Sequence, residues 1–182
     1  MITHPLAAAH WEPGVEQLLT VLNPWLVEHW QTCLVAAVDE PYYAPADGAN
    51  GLHQIQFAHG YFNSALHELA HWCVAGEQRR LLPDFGYWYA PDGRDAAQQA
   101  AFEKVEVKPQ AIEWHFAEAC GRHFRVSVDN LSGEPTDSRP FQEAVRVQAN
   151  QYLRDGLPAR ANALVVLMCQ AYGTDRHKFR FQ

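Results

Sequence analysis

Residues 61–75 read YFNSALHELAHWCVA, and the reading of this stretch decides how the rest of the chain is understood. Phe62, Leu66, Leu69 and Cys73 recur at helical spacing, which predicts a helix with one face in the core and Gly76 as its C-terminal stop. Within it, His67-Glu68-Leu69-Ala70-His71 is an HExxH. Two imidazoles four residues apart lie about 40° apart in projection, one turn above the other, so both can reach one metal ion. With 10 His and 12 Glu in 182 residues, about 0.04 accidental matches are expected. The motif places the chemistry without naming it.

The surroundings predict a helix-rich α+β fold with a small sheet and a zincin-like metal-binding helix. Before the motif, Val15–Val21 reads as a short helix, and Asn23-Pro24 reads as the start of a second one, since Asn caps helices and Pro suits their first position. Thr32–Val38 is an apolar run of strand length, residues 40–51 carry the Pro and Gly of an irregular loop, and His53–Ala58 alternates as a second strand. After the motif, Arg79–Gly93 is an aromatic loop. Asp95–Cys120 is a long helix, interrupted or kinked near Pro109, and Phe124–Val128 is a candidate third strand. Pro140–Asp155 and Ala159–Tyr172 are two final helices. The length suits a single catalytic domain over residues 1–182, with about the first 12 loose.

Composition narrows the function classes. No apolar run reaches the roughly 18 residues of a membrane span, and Met1–His10 lacks the basic start of a secretory signal. Cys33, Cys73, Cys120 and Cys169 form no CxxC, so reduced thiols and a cytoplasmic location are expected. A net charge of −7 argues against direct nucleic-acid binding and permits a cationic substrate.

A metal centre with open positions needs a third protein ligand. Glu103, Glu106 and Glu113 fall near one angular line of the long helix, and spacing leaves all three open. Glu106 is favoured by its flanks Val105 and Val107, because a carboxylate in an apolar setting needs a partner. His59 is a candidate for the substrate side, and His115 reads equally well as a surface residue. The segment DFGYWYAPDGRD (84–95) offers Asp84, Tyr87, Asp92 and Asp95 to a cationic group, although Asp95 also suits the N-cap of the long helix. Lys104, Arg122 and Arg125 read as ordinary surface charge.

HExxH alone suggests a zinc metallopeptidase with Glu68 as general base. The runs FAHGYFNSALHELAHWCVAG (57–76), RRLLPDFGYWYAPDGRDAAQQ (79–99), FEKVEVKPQAIEW (102–114) and VSVDNLSG (126–133) suggest something narrower. Over roughly residues 40–155 the chain resembles the elongation factor P hydroxylase family. The resemblance implies a mononuclear non-haem Fe(II) enzyme with His67, His71 and, of the three glutamates, Glu106 as ligands. It implies dioxygen as co-reactant and a protein substrate, elongation factor P, bearing a β-lysylated lysine. Under that reading Glu68 is a catalytic residue of open role, orienting a water or relaying a proton.

Overall fold

The computed structural model describes residues 7, 10–47, 51–86, 93–129 and 137–182. The elements, in chain order, are α1 (Val15–Trp30), β1 (Thr32–Ala37), β2 (Tyr42–Ala44), β3 (His53–Ala58), α2 (Phe62–Val74), α3 (Ala96–Ala119), α4 (Arg139–Asp155) and α5 (Ala159–Tyr172). Short 3₁₀ turns lie at Arg79–Leu81 and Arg176–Lys178, and Pro83–Gly86 is a turn with non-helical angles at Asp84 and Phe85. The sheet order is β1-β3-β2, with β3 parallel to β1 and antiparallel to β2. The expected helix-rich α+β architecture with a small sheet is what the chain adopts.

Apolar side chains of the sheet and of every helix meet in one core. Leu18, Leu22 and Leu26 of α1 join Leu34, Ile55 and Phe57 of the sheet, Leu66 and Leu69 of α2, Ile112 and Phe116 of α3, Val145 of α4 and Met168 of α5. α1 packs on β1 and α2 on β3, while α3 packs against α2, α4 and α5. All four core positions expected on α2 are buried.

Three elements differ from expectation, each because a distant group takes over a local signal. First, α1 runs unbroken through Pro24. Asn23 does not cap a second helix: its amide donates to Leu34 O at 3.1 Å, and its carbonyl accepts from Leu34 N at 2.8 Å, which ties α1 to β1. Second, the loop over residues 40–51 contains β2, whose Tyr43 is buried and stacks on Phe85 at 4.1 Å. Third, Phe124–Val128 is no strand. Buried side chains of α3 take its backbone instead: Gln110 bonds both the N–H and the C=O of Ser127, and Gln99 donates to Val128 O. The long helix itself begins and ends within a residue of expectation. Asp95 and Gln98 form its capping box, and Pro109 is accommodated inside one continuous helix.

The motif helix is held at both ends by residues far away in sequence. At its N-terminus no local side chain caps it, and Glu12 accepts the Phe62 N–H at 2.8 Å. Arg122 fixes Glu12 with a 3.0 Å ion pair and lies 3.9 Å over the Phe62 ring, so it is more than surface charge. At the C-terminus Arg160 donates to Cys73 O and Ala75 O, and Arg80 donates to Ala75 O. Cations at carbonyl ends and a carboxylate at amide ends both match the helix dipole. The four cysteines are free thiols, and burial pushes Cys73 and Cys120 up to about 12. No helix among the described residues is long and apolar enough to cross a membrane.

Candidate metal centre

Five polar residues of α3, Gln99, Glu103, Glu106, Gln110 and Glu113, follow a four-three-four-three spacing and therefore form one stripe. Four of them are buried: Gln99, Glu106, Gln110 and Glu113 are 1%, 2%, 1% and 8% exposed. Such a stripe is tolerable only if every group has a partner. Gln99 and Gln110 are satisfied by the Ser127–Val128 backbone, and Glu103 accepts from Gln99 at 3.1 Å. Glu106 and Glu113 face the two imidazoles of α2.

The geometry separates the three candidate glutamates. The Nε2 atoms of His67 and His71 approach to 3.0 Å. Glu106 Oε1 lies 3.3 Å from His71 Nε2, and its Oε2 lies 3.6 Å from His67 Nε2. One ligand atom from each of His67, His71 and Glu106 falls within 4.8 Å of the others. Glu113 instead sits behind His67, its Oε2 2.8 Å from Nδ1. An Nδ1–H donated to Glu113 leaves Nε2 to face the centre, the carboxylate–histidine arrangement that commonly orients metal-binding imidazoles. Glu103 stands apart, at Gln99.

Protonation reflects this crowding. Burial alone would lower the His67 imidazole, but the Glu113 hydrogen bond and the charges of Glu113, Glu106 and Glu68 raise it to about 10. Burial alone would raise Glu106, but His71 and His67, with a weaker bond from Gln110, bring it down to about 2. Glu68 is half-buried and raised, chiefly by desolvation, with Glu106 and Asp84 adding to it and the two histidines opposing. A cation between the imidazoles would do the work of the proton on His67 Nε2 and would displace it.

The donor set fits a metal ion. Ligand atoms at about 2.1 Å from one ion are about 3.0 Å apart at octahedral cis positions and about 3.4 Å apart at tetrahedral ones. The imidazole separation of 3.0 Å and the approaches of 3.3 and 3.6 Å, one from each Glu106 oxygen, are of this order, and one ligand atom from each residue lies within 4.8 Å of the others, which does not choose between iron and zinc.

These residues open into a cavity of about 910 Å³. Glu40, Glu68, Asp84, Glu106, Glu113 and Asp129 put six carboxylates on its wall, against the two guanidiniums of Arg94 and Arg125. Asp84 and the following Phe85 both take left-handed backbone angles, with φ of 47° and 58°. That is costly for non-glycine residues, above all for Phe. It is held by the Tyr43 N–H, which donates to Asp84 Oδ1 at 2.8 Å, by Arg79, which donates to Phe85 O, and by the Tyr43–Phe85 stack. Burial raises the Asp84 carboxyl, and the Tyr43 bond opposes that rise.

Other expected site residues fall elsewhere. Asp95 is an exposed helix cap outside the cavity wall. His59 is exposed beside Tyr61, and of the two Tyr61 lines the cavity. Tyr87 and Asp92 lie outside the described residues. His115 is no surface residue: it is 1% exposed, packs near Phe181 and reaches Ala149 O at 3.0 Å. Sequence reasoning passed over Glu113 as a support for His67, and over Gln110 and Arg94. The 4-3-4-3 polar stripe was the available signal.

The model of the elongation factor P hydroxylase family matches residues 21–181. The chain belongs to that family. A relative from Haemophilus influenzae, elongation factor P lysine hydroxylase, is 48% identical over 164 residues, which cover 90% of this chain and 92% of its own. The match extends on both sides of the blocks at residues 40–155 that carry the resemblance.

Proposed function

We propose that this protein hydroxylates the β-lysylated lysine of elongation factor P, with one non-haem iron held by His67, His71 and Glu106. Family membership supports the reaction and the substrate. The observation that carries the site is the convergence of two imidazole nitrogens and a buried carboxylate on one point at the floor of an acidic cavity. Three ligands on one side of an ion leave the opposite side for dioxygen and substrate. Bound iron would supply dioxygen activation there.

The chain's own residues do the rest. Glu113 holds the His67 Nδ1 proton, so Nε2 stays directed at the metal point. Gln110 bridges Glu106 and Ser127, linking the carboxylate ligand to the cavity wall. Glu68 and Asp84 set negative charge around a long cationic side chain, and each ammonium left in water would otherwise keep its hydration shell. Hydroxylation needs a C–H bond held beside the metal point, and a wall of fixed charges restricts how the chain can lie. Glu68, one residue from a ligand and on the cavity wall, would hold a water or relay a proton there. The whole of residues 1–182 would act as one catalytic domain, cytoplasmic, with elongation factor P and dioxygen as partners and with no direct part for nucleic acid or membrane.

The test is a mass spectrum of fully β-lysylated elongation factor P after incubation with iron-loaded protein. A gain of one oxygen that requires Fe(II) and disappears in His67→Ala is expected. No gain, or peptide cleavage with zinc that depends on Glu68, would replace this reading with hydrolysis.

A further inference from the structure

The segment Phe124–Val128 carries a strand's sequence but lacks a strand's partner. It has no helix, turn or bend, and its exposure alternates: Phe124 is buried, Arg125 exposed, Val126 half-buried, Ser127 exposed and Val128 half-buried. One edge is occupied. Gln110 takes the Ser127 N–H at 3.0 Å and its C=O at 2.8 Å, so both groups point towards α3. In extended backbone the N–H and C=O of one residue share a side and those of its neighbours take the other. The Val126 N–H and C=O therefore point away from α3, whereas at Val128 the alternation ends, its C=O turning back to accept from Gln99. Among the described residues neither of these two Val126 groups takes a hydrogen bond. An open N–H and C=O pair on one extended residue can take the matching pair of another strand.

The segment's position says what that strand belongs to. Arg125 and Ser127 line the acidic cavity, and Phe124, Arg125 and Val126 line a second groove of about 780 Å³ on the other side. The free edge thus runs along the rim of the cavity that ends at the metal point. We propose that Phe124–Val128 is a docking edge for the protein substrate, beside which the extended stretch flanking the modified lysine adds as a β-strand. This rests on the hydroxylase reading. Side chains of an added strand alternate in direction, so a lysine facing the cavity meets its carboxylates while its two neighbours turn away. Main-chain bonds supply affinity and the acidic cavity selects the cationic side chain, the usual division of labour in strand addition.

Val126→Pro tests the edge, because it deletes an N–H that takes no hydrogen bond among the described residues, and proline suits extended backbone. Affinity for β-lysylated elongation factor P, measured without dioxygen, should fall roughly tenfold, the worth of one such bond. Co(II) affinity and melting temperature should not move. In the wild-type protein, amide exchange at Val126 should slow when the partner binds, which decides the matter even if the variant folds poorly. Wild-type affinity in a folded Val126→Pro, or unchanged exchange at the Val126 amide, overturns the docking edge and leaves the hydroxylase reading standing. If elongation factor P neither binds nor is modified by the wild-type protein, the hydroxylase reading fails and the edge falls with it.

Discussion

Replacing Glu113 separates a metal ligand from a residue that only aims one. Glu113 is 8% exposed, and its carboxylate lies 2.8 Å from His67 Nδ1, on the far side of the ring from His71 and Glu106. Truncation to alanine leaves every ligand atom present but releases the ring to rotate and removes the charge that makes Nε2 a better donor. Loss of such a support commonly weakens metal binding 10- to 100-fold, equivalent to about 1.4–2.7 kcal/mol. Glu113→Gln keeps an oxygen that can accept from Nδ1–H but loses the charge, so its effect should sit at the lower end, near tenfold. Glu106→Gln removes a ligand and should cost more than either. Glu103→Gln should change affinity by less than twofold, because Glu103 is turned towards Gln99. The assay is Co(II) titration followed by visible absorbance, with Fe(II) competition under anaerobic conditions. Equal losses for Glu103→Gln and Glu113→Gln, or wild-type affinity in Glu113→Ala, would refute the assignment of roles along α3.

Three further expectations concern how the site is held. Glu12→Ala removes the carboxylate that caps the motif helix; thermal melting should show a loss of about 1–2 kcal/mol, roughly 3–6 °C for a chain of this size, with Glu12→Gln milder. His115 is buried, and desolvation, helped by Arg176 and opposed by its bond to Ala149, lowers it to about 4. The unfolded chain then binds its proton first as pH falls. The stability from this residue is intact above about pH 6.5 and is lost progressively towards pH 4, by about 3 kcal/mol, so the slope in chemical denaturation should flatten in His115→Gln. Gln110→Leu removes both bonds to Ser127, and the Ser127 amide should exchange faster while stability falls by about 2 kcal/mol; unchanged exchange would show that the segment is held by something else.

Signals that act within a few residues were legible in the chain itself. The N-cap at Asp95, the strand His53–Ala58 and the core face of the motif helix depend on local spacing and backbone preference, and all are where the sequence put them. Signals that need a distant partner were misread. Asn23 looks like a cap, but its amide is spent on Leu34. FRVSV looks like a strand, but glutamine side chains take the place of a neighbouring strand. His115 looks like a surface residue, because nothing nearby in sequence announces that Phe179 and Phe181 fold over it.

The metal centre divides along the same line. The four-residue interval between His67 and His71 by itself brings two imidazoles to one point, since a single helix fixes their relation. The stripe on α3 by itself places Glu103, Glu106 and Glu113 on one face. Which glutamate meets the imidazoles depends on how far α3 is shifted along α2, and a helical period contains no information about that shift. The shift is set by the packing of Ile112 and Phe116 of α3 in the core with Leu66 and Leu69 of α2. Tertiary structure alone therefore made Glu106 the inward carboxylate, Glu113 the support behind His67 and Glu103 a bystander.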